Sequence, residues 1–172
     1  KKGISRVSKI KTNHVNDIMV GEISFTNAEL EQQLNLSSDN NYSRTALLGA
    51  IAAKQALENA NITDINAYKT GLVSSTSVGG MDMTERYYYD YLENKAAQKY
   101  IEGHHAGDST QKIAEQLGIE QSLVTTISTA CSSAANAIMF GARLIKSGQL
   151  DRVVVGGADC LSKFTINGFK TL

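Results

Sequence analysis

A cysteine at the junction of a predicted strand and a predicted helix is the residue of this chain best placed for covalent chemistry. Cys131 follows an apolar, β-branched run at 123–128 and precedes a helical run at 132–147, for which Gly148 supplies the stop. A thiol at a helix start lies at the positive end of the helix dipole, which favours the nucleophilic thiolate. The position predicts a covalent nucleophile, and taken alone it fits a small buried structural cysteine equally well.

The histidines and the second cysteine lack a pattern that predicts chemistry. His104 and His105 lie in a glycine-flanked run typical of solvated loop histidines, and no third ligand stands at a metal-binding spacing. His14 is isolated. The separation of Cys160 from Cys131 is not that of a zinc ribbon, so Cys160 is interpreted as structural. No metal site is therefore expected.

Hydrophobic periodicity predicts the elements that must position Cys131. In chain order they are a helix at 43–61, a strand at 69–76, a helix at 81–99, a helix from the N-cap Ser109 to the residue before Gly118, and a strand–helix–strand unit at 123–128, 132–147 and 152–157. The last unit implies parallel strands joined by a right-handed crossover. Its helix is apolar nearly all round, which predicts burial on most of its sides. The fold class is therefore α/β with a parallel sheet.

Composition and charge exclude several classes of function. The 172 residues are 42% hydrophobic, and 17 Lys and Arg balance 17 Asp and Glu. This length supports one domain with a core, and the neutral balance argues against a broad nucleic-acid or membrane footprint. No apolar run approaches the length of a membrane span. Two cysteines, one of them placed to react, favour a reducing cytoplasm over a secreted disulfide scaffold.

Five segments together resemble the β-ketoacyl synthases, the condensing enzymes of fatty-acid and polyketide synthesis. They are Asn-Tyr-Ser-Arg-Thr at 41–45 with Ala-Ala-Lys-Gln-Ala-Leu at 52–57, the strand and glycine turn at 70–80, Thr-Ala-Cys-Ser-Ser-Ala at 129–134, Val-Val-Val-Gly-Gly-Ala-Asp at 153–159, and Phe-Thr-Ile-Asn-Gly-Phe at 164–169. Their order and spacing agree with the family, so the combination is specific although each segment alone is weak. The resemblance implies the layered αβαβα sandwich of thiolase-like enzymes.

The resemblance also implies that residues 1–172 form a partial, N-terminal ketosynthase domain. Family members are roughly twice this length and consist of two similar halves, beyond the usual size of one domain. The opening strand before residue 1 and the C-terminal half are therefore expected to be missing from this chain. The two histidines that assist decarboxylation, and the lysine that orders them, lie in the family's second half. We therefore expect the 172-residue chain alone to be inactive and to leave the helix at 132–147 partly bare.

For the reaction, the resemblance implies a decarboxylative condensation centred on Cys131. The cysteine takes an acyl group from a carrier-protein thioester, and the carbanion from malonyl-carrier then attacks the acyl-cysteine. The backbone N–H of Cys131 is implied as one of the two oxyanion donors. Thr165 and Phe169 match positions that line the acyl tunnel. No cofactor is expected, because the phosphopantetheine arm of acyl carrier protein holds the substrates.

The implied protein is an elongating 3-oxoacyl-[acyl-carrier-protein] synthase of the cytoplasm. Its implied partners are acyl carrier protein and a second copy of itself, or a ketosynthase-like subunit in a heterodimer. One alternative is a non-catalytic partner subunit that sets chain length, but such a subunit typically lacks the nucleophile that Cys131 supplies. Another is a thiolase or initiating synthase that uses coenzyme A. The Ser-Ser-Ala after Cys131 and Asn-Gly-Phe at 167–169 are closer to the elongating class.

Overall fold

A parallel sheet and the helices on its two faces make up most of the chain. The computed structural model describes residues 3–94, 97–120 and 122–172. The elements are β1 (Ser5–Arg6), β2 (Met19–Val20), α1 (Asn27–Gln33), α2 (Arg44–Asn59), β3 (Thr70–Ser75), α3 (Met81–Asn94), α4 (Gln98–Glu102), α5 (Ala106–Leu117), β4 (Val124–Ile127), α6 (Ser133–Lys146), β5 (Arg152–Val155) and α7 (Lys163–Lys170). Strands β1 and β2 form a separate antiparallel pair.

Strand β3 lies in the middle of the sheet, whose order is β4-β3-β5. Both neighbours run parallel to β3, with Leu72 opposite Val124 on one side and opposite Val154 on the other. Every residue of β3 is buried, as expected for a central parallel strand covered on both faces. The predicted parallel α/β architecture is confirmed. The crossover through α6 passes over β3, because β4 and β5 are not adjacent.

The two faces of the sheet bury different sets of helices. Leu72 belongs to a core cluster with residues of α2 and α5, such as Leu47 and Ile113. The next residue, Val73, packs with Ala137 and Leu144 of α6. Neighbouring residues of a strand point to opposite faces, so β3 carries one layer of helices on each side. The helix that follows Cys131 is therefore packed directly beneath the strands.

Helix α6 is buried on one side only. Ala137, Gly141 and Leu144 face the sheet, while Ile138, Met139 and Ile145 are 55%, 45% and 44% exposed. The prediction of burial on most sides is therefore wrong for this chain by itself, because no described element covers the outer face. The partly bare helix expected for the 172-residue chain alone is what the structure has.

Two predicted helix boundaries are wrong. The helix predicted at 81–99 is interrupted at Ala97, which precedes α4 as its N-cap, while residues 95–96 lie outside the described residues. Helix α5 begins before the predicted N-cap Ser109. The ring Nδ1 of His105 accepts a hydrogen bond from the Gly107 N–H at 3.0 Å and thereby caps the helix. Ser109 is buried inside α5, where its hydroxyl donates to the Ala106 carbonyl at 3.0 Å. The helix N-terminus is therefore capped by an imidazole nitrogen, where sequence rules favour a serine hydroxyl.

None of the described helices combines the length and the apolar character that crossing a lipid bilayer requires.

Gly141 offers a test of how closely α6 packs on β5, and Gly168 in α7 serves as the comparison. A methyl group on Gly141 would lie 2.5 Å from Cγ1 of Val155, a β-branched residue with little rotamer freedom. Gly141→Ala is expected to lower the free energy of unfolding by about 1 kcal/mol, since overpacking outweighs the gain in helix propensity. Gly168→Ala in α7 meets open space and should raise it by about 0.5–1 kcal/mol. Urea denaturation of the two variants checks the opposite signs, and equal effects would contradict the packing argument.

Candidate active site

Cys131 lies in a cavity at the edge of the sheet where the carboxyl ends of three parallel strands meet. The cavity holds about 210 Å³ and is lined by the turns that follow β3, β4 and β5, among them Ser77, Cys131 and Asp159. Open α/β sheets place their ligand sites at this edge. Cys131 itself is exposed. A substrate carbonyl can therefore reach its thiol from the solvent side.

The residue before the cysteine has an unusual backbone conformation. Ala130 has a φ of 51°, in the left-handed region that alanine rarely adopts. Such a conformation costs on the order of 1–2 kcal/mol and persists only where the surroundings hold it. This strained residue lies at the sharp turn from β4 into α6. The turn changes the direction of the chain, and Cys131, the next residue, lines the cavity.

Hydrogen bonds to the buried side chain of Ser133 hold this turn closed. The Ser133 hydroxyl donates to the Ala130 carbonyl at 2.7 Å and accepts from the Thr129 N–H at 2.8 Å. Ser133 is buried in the first turn of α6. One side chain therefore ties the backbone on both sides of the Thr129–Ala130 peptide to the helix that follows.

The start of α6 is left without a side-chain cap. Ser132 occupies the N-cap position, but its hydroxyl donates to the Thr129 carbonyl at 2.8 Å and makes no cap bond to the helix. Asn136 reaches back to the Thr129 hydroxyl at 2.9 Å. Uncapped N–H groups and the positive end of the helix dipole favour negative charge at this end. The arrangement suits an oxyanion that develops beside the Cys131 N–H.

The second cysteine is in a different environment. Cys160 is buried, and burial together with the nearby Asp82 carboxylate raises the pKa of its thiol to about 12. Burial also raises the pKa of Asp82. A thiol that stays protonated at neutral pH is a poor nucleophile, which agrees with the structural role predicted for Cys160.

The histidines and the predicted tunnel residues do not line the cavity of Cys131. His104 shares a hydrogen bond of 2.9 Å with the Thr84 hydroxyl, and His105 caps α5. Thr165 lies in the first turn of α7, where its N–H donates to the Ser162 hydroxyl at 3.0 Å. Phe169 is 62% exposed. The structure therefore does not bring Thr165 or Phe169 to the thiol, and their part in an acyl tunnel stays a prediction.

Among the polar residues of the cavity that sequence reasoning missed are Ser77 and Asp159. The Asp159 carboxylate accepts from the Ser77 N–H at 2.8 Å and from the Thr76 hydroxyl at 2.5 Å. Both residues follow parallel strands of the sheet, β3 and β5, so the rule that carboxyl ends of parallel strands converge is the signal that points to them. Within the described residues, no group of three or more His, Cys, Asp or Glu side chains is placed to hold a metal ion.

An exposed cysteine on a strained turn, between a strand of a parallel sheet and a helix packed on that sheet by one face, is an arrangement typical of the thiolase-like condensing enzymes that the sequence resembles. Residues 4–172 match the family described as "Beta-ketoacyl synthase, N-terminal domain", and the chain belongs to this family. The family resemblance and the fold class predicted from the sequence are confirmed.

The curated relatives include a nodulation protein, a polyketide synthase subunit and a 3-oxoacyl-[acyl-carrier-protein] synthase. Nodulation protein E of Rhizobium meliloti is 31% identical over 67% of this chain and 30% of its own length. The ketoacyl synthase alpha subunit of the tetracenomycin polyketide synthase of Streptomyces glaucescens is 25% identical over 90% of this chain and 38% of its own. The 3-oxoacyl-[acyl-carrier-protein] synthase 2 of Staphylococcus aureus is 21% identical over 97% and 41%. The chain thus spans less than half the length of these relatives.

Solved ketosynthase structures share the fold. The ishigamide ketosynthase/chain length factor superposes with a TM-score of 0.85 at 20% identity, covering 98% of this chain and 43% of that one. A β-ketoacyl synthase from Burkholderia phymatum gives a TM-score of 0.73 at 17% identity, covering 98% and 42%. A type II polyketide ketosynthase in complex with its acyl-carrier protein gives 0.59 at 17%, covering 83% and 47%.

Proposed function

We propose that this chain is the N-terminal half of an elongating 3-oxoacyl-[acyl-carrier-protein] synthase of fatty-acid or polyketide-type synthesis. The observation that carries the proposal is the position of Cys131. In a chain of the ketosynthase family, the thiol is exposed in a cavity at the carboxyl edge of the sheet and precedes the uncapped start of α6. Chain-length partner subunits typically lack the nucleophile, so Cys131 favours the catalytic subunit over the non-catalytic one.

The proposed reaction has two steps that both pass through an oxyanion. The Cys131 thiolate attacks the carbonyl carbon of an acyl-carrier thioester, and the phosphopantetheine thiolate leaves with the electron pair of the broken C–S bond. Malonyl-carrier then loses carbon dioxide, and the electron pair released attacks the acyl-cysteine carbonyl. Collapse of the second oxyanion expels the Cys131 thiolate and releases a 3-oxoacyl thioester. The Cys131 N–H is the oxyanion donor that this chain supplies in both steps.

The remaining parts of the proposal concern substrates and partners. Acyl carrier protein delivers both substrates on its phosphopantetheine arm, so the reaction needs no further cofactor, and it takes place in the cytoplasm. Thr165 and Phe169 are proposed to line the acyl tunnel in the intact protein. The support for the carrier protein is a similar structure that holds a ketosynthase with its acyl-carrier protein.

A condensation assay on the intact protein tests the proposed function. With acyl- and malonyl-carrier substrates we expect a 3-oxoacyl product and one carbon dioxide per condensation. Parallel reactions with the same groups on coenzyme A distinguish the alternative class. Faster turnover with coenzyme A substrates would identify a thiolase or an initiating synthase, and no acylation of Cys131 by either substrate would leave only a non-catalytic subunit.

We predict that the intact protein is a dimer joined through β4. This half-buried strand is an edge of the sheet, since it pairs only with β3 in the described part of the chain. In the ketosynthase family the strand before the nucleophile continues the sheet into the partner. An unpaired β-branched edge also invites association. Light scattering at micromolar concentration should give twice the mass of one chain, and a stable monomer would contradict the prediction.

A further inference from the structure

The carbonyl of Ala130 controls the direction of the Cys131 N–H. The two groups belong to the same planar peptide, in which the N–H points opposite to the C=O, and the described residues contain no cis peptide. Whatever holds the Ala130 carbonyl therefore aims the N–H that serves as oxyanion donor. An oxyanion donor works only when it points to the place where the charge develops.

Two side chains donate to this carbonyl from different elements. Ser133 donates at 2.7 Å from α6, and its N–H adds a bond of 3.1 Å. The Ser77 hydroxyl donates at 3.3 Å from the turn that follows β3. The bonds from Ser133 are local to the helix start. The bond from Ser77 connects the junction to another strand, so its geometry depends on how the turn after β3 is held.

Asp159 holds that turn. Its Oδ1 accepts from the Ser77 N–H at 2.8 Å and from the Thr76 hydroxyl at 2.5 Å. The Thr76 hydroxyl in turn accepts from the Gly79 N–H at 3.0 Å. The Asp159 carboxylate, which follows β5, thus holds the turn after β3. From that turn the Ser77 hydroxyl donates to the Ala130 carbonyl, which follows β4.

We propose that Asp159 is a positioning residue that aims the Cys131 N–H through Ser77 and the Ala130 carbonyl. The inference rests on the proposed function, in which that N–H stabilises the oxyanion. Asp159 lines the same cavity as Cys131, yet its carboxylate is committed to the Thr76–Ser77 turn and has no assigned part in the chemistry. It acts on the geometry of the donor.

Two reactions of Cys131 in the intact protein separate this role from general destabilisation. Acylation by p-nitrophenyl acetate passes through an oxyanion and needs the aimed N–H, whereas alkylation by iodoacetamide is a direct displacement that does not. Asp159→Ala should slow the acylation about tenfold, less than the 10²–10³-fold cost of losing an oxyanion donor outright. Alkylation of Cys131, located by peptide mass spectrometry, should change less than twofold.

Conservative and matched variants sharpen the test. Asp159→Asn keeps a carbonyl acceptor for both donors and should restore most of the acylation rate. Ser77→Ala should resemble Asp159→Ala, and the double variant should be no slower, because both changes break one route. Asp151→Ala is the matched control, since the Asp151 carboxylate accepts the Lys69 N–H at 3.1 Å at the opposite end of the same two strands. It should leave both reactions of Cys131 unchanged.

The outcomes distinguish this inference from the proposed function. An Asp159→Ala variant that acylates at the wild-type rate, or loses acylation and alkylation together, overturns the positioning role. Equal rates for Asp159→Asn and Asp159→Ala overturn it too, because they would indicate an effect of charge. Condensation of malonyl-carrier is assayed separately, so a protein that acylates as expected but never condenses refutes the proposed function and leaves the role of Asp159 in place.

Discussion

Replacement of Cys131 by alanine is expected to abolish acyl-enzyme formation and to lower the condensation rate on the order of 10⁴–10⁶-fold. The methyl group cannot attack a thioester. Among the described residues that line the cavity, no other side chain is a thiol. Intact-mass spectrometry after incubation with an acyl-carrier thioester measures the first effect, and carbon dioxide release from malonyl-carrier measures the second.

Cys160→Ala is the matched control for this experiment. The Cys160 thiol is buried, its pKa is raised to about 12, and it does not line the cavity of Cys131. Acylation and condensation should therefore stay within about twofold of the wild type, with a loss of about 1 kcal/mol in the free energy of unfolding. Peptide mapping that places the acyl group on Cys160 would overturn the assignment of Cys131.

The central elements could be predicted from the sequence because their patterns are strong and local. The runs at 69–76 and 123–128 predict strands that the structure has, in parallel, and the small residues after Cys131 predict a closely packed helix. The order β4-β3-β5 could not be predicted in this way, since strands joined by a crossover are usually neighbours in the sheet, whereas here the crossover through α6 passes over β3. The N-cap at His105 was missed because an imidazole acceptor is rare among capping side chains.

The site was predicted in one part and missed in another for a similar reason. Cys131 stands out because strand, thiol and helix follow one another in the sequence. The connection from Asp159 to Ser77 joins residues 82 positions apart, and only the folded sheet brings them together. The φ of 51° at Ala130 carries no sequence signal either, because alanine does not favour it. Contacts between the ends of different strands could therefore not be predicted from the sequence.

The second large effect concerns a polypeptide of residues 1–172 produced alone, which we expect not to catalyse condensation. Its cavity contains the thiol and the Cys131 N–H proposed as one oxyanion donor, but no histidine lines it among the described residues. The exposed His104 and His105 are engaged with Thr84 and with the start of α5. A missing oxyanion donor costs on the order of 10²–10³ in rate, and missing acid–base groups typically cost about 10²–10⁴ more.

The bare face of α6 adds a physical reason for the same outcome. Three large apolar side chains of α6 are exposed, namely Ile138, Met139 and Ile145. An exposed apolar surface of this kind favours association with another surface. The polypeptide is therefore expected to be poorly soluble when it is produced alone.

The test compares the purified polypeptide with the intact protein in one assay, with acyl- and malonyl-carrier substrates and carbon dioxide release as the measurement. Intact protein carrying His104→Ala and His105→Ala serves as the control and should condense at close to the wild-type rate, since both side chains lie outside the cavity of Cys131. If the polypeptide alone released carbon dioxide at a rate near that of the intact protein, and the double variant did not, decarboxylation would have to be assigned to His104 and His105.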